Sequence, residues 1–284
     1  MIDDNAVARP QAGFNAASIV YQAPADGGED RYMLIFQEGD TATIGPVRSG
    51  RPYFIRWAAE YRAAFGHYGG DAKTRAYLPT IDGRLVYDVD ALSGAAAAYH
   101  RVGSRVTPHN AYTSTAVFRG VASSGGAPTD FVAGTDVRPF DDGATLDARP
   151  ASGSVSIPYG TGTIGYTYDR LSNTYLRSVA GRPQIDAADG QRVVASVVVI
   201  LFMKLSIDPE SEPGHHRPVL AQVGTGKALV FRNGSVVVGT WRKADAGGLT
   251  RFFDGAGVEV PLVRGRIFIQ VVPTGTDVSY AASR

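Results

Sequence analysis

The chain has 284 residues, 44% hydrophobic and 19% charged, with 34 glycines. That describes a folded protein of one large or two ordinary domains and excludes a disordered chain, while the glycines favour strands and tight turns over a helical bundle. A formal net charge of +1 gives no electrostatic footprint for nucleic acid or an acidic membrane surface, and the absence of cysteine excludes disulfides, thiolate metal sites and a cysteine nucleophile.

The opening residues Met1-Ile2-Asp3-Asp4-Asn5 carry no legible signal peptide. Residues 17–23 and 31–37 read as strands separated by the turn cluster Asp26-Gly27-Gly28. A helix follows, because Phe54, Trp57, Ala58, Tyr61, Ala64 and Phe65 recur at helical spacing as one apolar stripe, with Arg56 and Glu60 on the opposite face. Ser49 is its expected N-cap, and Pro52 is tolerated in the first turn, where amides lack intrahelical acceptors. An Ala-rich helix is expected over 93–100. Another is expected after Thr107-Pro108, with His109 and Asn110 in its first turn and residues 112–118 continuing it.

Between Gly120 and Gly153 the composition shifts to Gly, Ala, Ser, Pro and Asp, which predicts a linker or surface excursion. The expected division is an α+β N-terminal part over 1–135 and a mainly-β part over 136–284. In the second part, residues 159–168, 193–207 and 266–272 read as strands. The apolar run 193–205 is interrupted by Lys204 and falls short of the about 20 residues that a membrane span needs, so it reads as a buried central strand. Asn233-Gly234, between apolar runs, is a two-residue hairpin signal.

Several motifs fail on their context. Gly160-Thr161-Gly162-Thr163-Ile164-Gly165 matches GxGxxG, but the alternating Tyr166-Thr167-Tyr168 that follows is a strand pattern, not the helix that a dinucleotide pyrophosphate requires. In Gly224-Thr225-Gly226-Lys227 the first glycine of a phosphate loop is replaced by Ala221 and the magnesium-binding hydroxyl by Ala228. His215-His216, after Asp208, Glu210 and Glu212, has ligand chemistry for a transition metal but reads better as a solvated loop. No GxSxG, SxxK or HExxH pattern exists. No metal and no cofactor is expected.

The remaining constellation is Arg48, Ser49 and Arg51 with His109 and Asn110. Cations at or just before a helix N-terminus oppose the macrodipole, so an anion or a carboxylate should share the site. Asp3, Asp4, Glu29 or Asp30 could supply that carboxylate, making the arginines structural clamps. A ligand is the other source.

These residues also carry a resemblance. The blocks around Asp4-Asn5, 8–14, 17–21, 31–37, 44–51 and 108–115, then Tyr168-Asp169, 175–177, 239–243 and 271–273, resemble the bacterial YerB-like lipoprotein family nearly end to end. The resemblance implies a two-part α+β fold, a layered β/β/α sandwich with a sheet-rich C-terminal part. It also implies a protein tethered outside the cytoplasmic membrane by an N-terminal lipid, with no enzymatic activity attached to the family. The chain departs from the family in lacking the lipid-attachment cysteine and in having Gly27-Gly28-Glu29-Asp30-Arg31 where relatives have a Glu-Gly-Gly-Ile-Thr-Arg stretch. Met1-Ile2-Asp3 is similar to the middle of the family's first strand, so the chain is expected to be truncated.

The leading expectation is a non-enzymatic envelope module that binds an anionic glycan, peptide or partner protein through Arg31, Arg48, Ser49, Arg51, His109 and Asn110. Its contact with the membrane would be only through the missing anchor, and nucleic acid is not expected as a partner. A hydrolase or transferase on an anionic envelope substrate, with His109 as base, and a structural or assembly protein pairing through strand edges are the alternatives.

Overall fold

Strand Val197–Met203 is the most apolar segment of the chain, and every residue in it is buried. A strand with no polar face must be covered on both sides, and this one lies inside a mixed eight-stranded sheet in a computed structural model that describes residues 1–131, 137–211 and 214–282. The sheet begins with β1 (Ile2–Asp3), β3 (Asp30–Ile35) and β2 (Ile19–Pro24). It continues through Ile267–Pro273, Val197–Met203, Gly224–Arg232, Ser235–Lys243 and Arg251–Phe253. Ile267–Pro273 runs parallel to both β2 and Val197–Met203, whereas the other pairings are antiparallel.

Strand alternation sorts the core into two layers. Val197, Val199 and Leu201, with Tyr21, Val230 and Ile269, pack against helix α1 (Pro52–Ala59) through Phe54 and Trp57. Val198, Ile200 and Phe202, with Val20, Phe231 and Phe268, face a second sheet through Val155, Ile164, Tyr166 and Tyr175. This is the expected α+β arrangement, layered β/β/α. The expected boundary at 135/136 lies outside the described residues, and the central sheet takes β1, β2 and β3 from one side of it and its other strands from the other.

The hairpin forms at Asn233-Gly234, both with positive φ (53° and 75°), as a primed two-residue turn requires. Gly224-Thr225-Gly226-Lys227 lies in a strand, and the GxGxxG stretch runs into strand Ile164–Asp169. Four helix readings are corrected. Helix α1 ends at Ala59, because Arg62 turns left-handed (φ 49°) and Ala64–His67 becomes a strand paired with Tyr87–Asp90. Its cap position is Arg51 rather than Ser49. The Ala-rich stretch makes one 3₁₀ turn, Ala96–Ala98, before His100–Arg101 joins a short strand pair. Thr107-Pro108 starts a turn, and the helix begins later, at Thr115–Ser124, where the Ser114 hydroxyl accepts from the Val117 amide. His109 and Asn110 therefore lie on no helix.

Candidate functional site

The segment 45–51 runs extended, tied by bridges between Ala12 and Gly45, Ile2 and Val47, and Gly50 and Gly70. From it the sequence-predicted site separates into three clusters. In the first, Arg51 forks onto Asp26, with Nε donating to Oδ1 at 3.0 Å and Nη2 to Oδ2 at 2.6 Å. Its Nη1 donates to the Ser49 Oγ (3.0 Å) and the Gly50 carbonyl (2.6 Å). Arg31 joins them, its Nη1 donating to the Ser49 carbonyl at 2.9 Å and Oγ at 2.8 Å. Burial first, and then the neighbouring Arg51 and Arg48, hold the Arg31 pKa down to about 10, so it remains a cation at neutral pH.

In the second cluster, Asp3 is fully buried between Arg48 and His109. Its Oδ2 lies 3.1 Å from Arg48 Nε and 2.6 Å from His109 Nδ1. The Arg48 contact is an ion pair without hydrogen-bond alignment, since Nε makes no hydrogen bond. The imidazole of His109 is hydrogen-bonded to Asp3, and among the described residues no hydroxyl is hydrogen-bonded to it. In the third, Asn110 accepts from Arg101 and donates to the Val102 carbonyl. Of the six predicted residues, the fold thus brings together Arg31, Ser49 and Arg51 and leads Arg48, His109 and Asn110 elsewhere.

Asp26 is the partner that sequence reasoning missed, because it sat inside a turn cluster read only for its backbone role. Of the carboxylates considered, Asp3 serves Arg48, Asp4 serves Arg9, Glu29 accepts from Asn5, and Asp30 accepts from the amide and hydroxyl of Thr161. His215 contributes its carbonyl to the Gly27 amide, Asp208 pairs with Lys73 at 2.7 Å, and Glu212 lies outside the described residues. Among the described residues no group of three His, Asp or Glu side chains converges as metal ligands.

A groove of about 930 Å³ runs along the far end of β3, past Leu34 and Phe36, to Ile44, Phe65 and Phe118. Beside it, β1 pairs Ile2 with Tyr32 and Asp3 with Arg31 of β3. Asp3 donates its amide to Pro46 and Met1 accepts from Arg48, so the Ile2 main chain points at Tyr32. The Ile35 carbonyl accepts from Ser18 on the β2 side, and alternation turns the Leu34 amide and carbonyl to the side on which β1 pairs with Tyr32. Arg62, on the rim, is an exposed cation without an ion-pair partner among the described residues.

Residues 1–127 match the family described as "Protein of unknown function (DUF3048) N-terminal domain", and residues 155–269 match the DUF3048 C-terminal domain. The chain is 29% identical over 286 residues to the "Putative lipoprotein YerB" of Bacillus subtilis (strain 168), a match spanning 96% of this chain and 80% of that protein. It is also similar to the crystal structure of YerB protein from Bacillus subtilis, with a TM-score of 0.83 and 26% identity over 99% of this chain and 91% of the other.

Proposed function

The chain belongs to the two-domain DUF3048 family of YerB-like proteins, and from that premise we propose that it is a non-enzymatic binding module of the bacterial cell envelope that holds an extended peptide segment of a partner protein. The relative's name makes YerB a lipoprotein, and this supports an address outside the cytoplasmic membrane. The observation that carries the binding role is the groove of about 930 Å³ beside β3, where Phe36, Phe65 and Phe118 offer apolar contacts for the side chains of an extended segment. The unpaired Arg62 on the rim favours a segment carrying an acidic residue.

The test replaces Phe36 by aspartate, which puts a charge on the groove wall. Peptides selected from a random displayed library on the unmodified protein serve as probes, read by fluorescence polarisation. Loss of the Phe36 apolar contact, at about 1.5 kcal/mol, predicts about a tenfold weaker complex for Phe36→Asp. Phe118→Asp should weaken it at least as much. Equal binding by both folded variants would place the peptide elsewhere and end the proposal.

A further inference from the structure

Arg31 carries a charge that the fold does not answer. The residue is 4% exposed, and only its Nη1 is engaged, on Ser49. Its Nε is buried without a partner, and its Nη2 has none among the described residues. Nε and Nη2 form the edge of a guanidinium that grips a carboxylate with two parallel hydrogen bonds. The neighbouring Arg51 uses that same edge on Asp26. The nearby carboxylates are already committed, Asp3 to Arg48 and His109, Asp26 to Arg51, and Asp71 to Arg51, Arg217 and the Thr74 amide. Arg31 is left with no ion pair among the described residues. Ser49 Oγ accepts from both Arg31 and Arg51, so its own proton remains available to donate.

We infer that the Nε–Nη2 edge of Arg31, together with the Ser49 hydroxyl, is a binding site for the carboxylate of an organic acid. A planar carboxylate matches a single bidentate edge, whereas a tetrahedral phosphate or sulfate does not share its plane. The site is separate from the groove, whose lining includes neither Arg31 nor Ser49 nor Arg51. It stands or falls independently of the peptide reading.

The experiment titrates the full chain with acetate, benzoate and sulfate at matched ionic strength against chloride and follows the melting temperature and calorimetric heat. Acetate and benzoate should raise the melting temperature saturably, with sulfate giving no larger shift. Ser49→Ala should weaken acetate binding several-fold. Arg31→Met should abolish the shift while melting in chloride no lower than the unmodified protein, because it deletes a buried unpaired charge. An acetylated tripeptide with a free C-terminus, tested beside its amide, separates the sources: selective binding of the acid form assigns the site to a peptide carboxylate, and a preference for benzoate assigns it to a free small acid. A carboxylate shift that survives Arg31→Met, an equal or larger shift with sulfate, or a large melting loss in Arg31→Met itself would overturn the inference. The last result would make Arg31 a structural clamp.

Discussion

Glu60 gives the sharpest test of how this fold is held together. Its carboxylate is fully buried beside α1. Oε1 accepts from Lys243 Nζ at 2.7 Å and from Thr250 Oγ1 at 2.6 Å, while Oε2 accepts from the Thr250 amide at 3.0 Å and from Arg138 Nη2 at 3.3 Å. The side chains of Glu60 and Lys243 are both 0% exposed. Glu60→Gln keeps the shape but removes the charge, leaving Lys243 and Arg138 as buried cations without their counter-ion. Breaking one partner of such a pair costs about 3–5 kcal/mol. For a chain of this size that lowers the melting temperature by about 10 °C, which circular dichroism in heat and in urea would read directly. The double variant Glu60→Leu with Lys243→Met removes both charges of the closest pair and should recover about 2 kcal/mol relative to the sum of the single losses. A Glu60→Gln loss below about 1 kcal/mol, or strict additivity in the cycle, would refute the claim that this cluster fastens α1 to the distant strand Ser235–Lys243.

Burial, opposed by the Thr161 hydrogen bonds, raises the Asp30 pKa from 3.8 to about 7, so the folded state holds a proton that the unfolded chain releases near pH 4. Stability from this group is therefore present at low pH and is lost as pH rises towards 7. Between pH 5 and 8, Asp30→Asn should gain about 2–3 kcal/mol on the unmodified protein, and parallel urea midpoints at the two pH values would contradict this. Gly234→Ala should cost about 2 kcal/mol or more in the same assay, because its φ is +75° and an added Cβ would meet Tyr168 Cε1 at 2.4 Å and Pro150 Cγ at 2.6 Å. A neutral result there would mean that the hairpin changes its turn type.

The strands were legible because their cause is local. Period-two alternation and branched residues located β2, β3, Val197–Met203 and the Asn233-Gly234 hairpin to within a few residues. The errors share a different origin. Ala64 and Phe65 continued the apolar stripe of α1 because a half-buried strand is apolar too, and only the left-handed turn at Arg62 separates the two elements. Glu60 looked solvent-facing from its helical position, yet residues 138, 243 and 250 converge on it from across the chain, and nothing in a local window announces them. The nearness of Ser49 and Arg51 was legible, since they are two residues apart, but the expected single site with Arg31, Arg48, His109 and Asn110 divides in the fold, where only Arg31 joins them. The partners were not, because ion pairs between residues 25 to 106 positions apart depend on topology rather than on spacing.

The most instructive case is the relation between Asp3 and Arg31, which are directly opposite each other across β1 and β3. Opposite residues of an antiparallel pair point to the same face, and an acid facing a base there should close an ion pair. It does not, because the Asp3 carboxylate is drawn to Arg48 and His109. Moving it to Arg31 would strip both of those groups of their anion, and the deficit would only change address. Asp26 is gripped by both Nε and Nη2 of Arg51, and Asp71 lies 3.9 Å from the same guanidinium, so the Nε–Nη2 edge of Arg31 keeps no ion pair among the described residues.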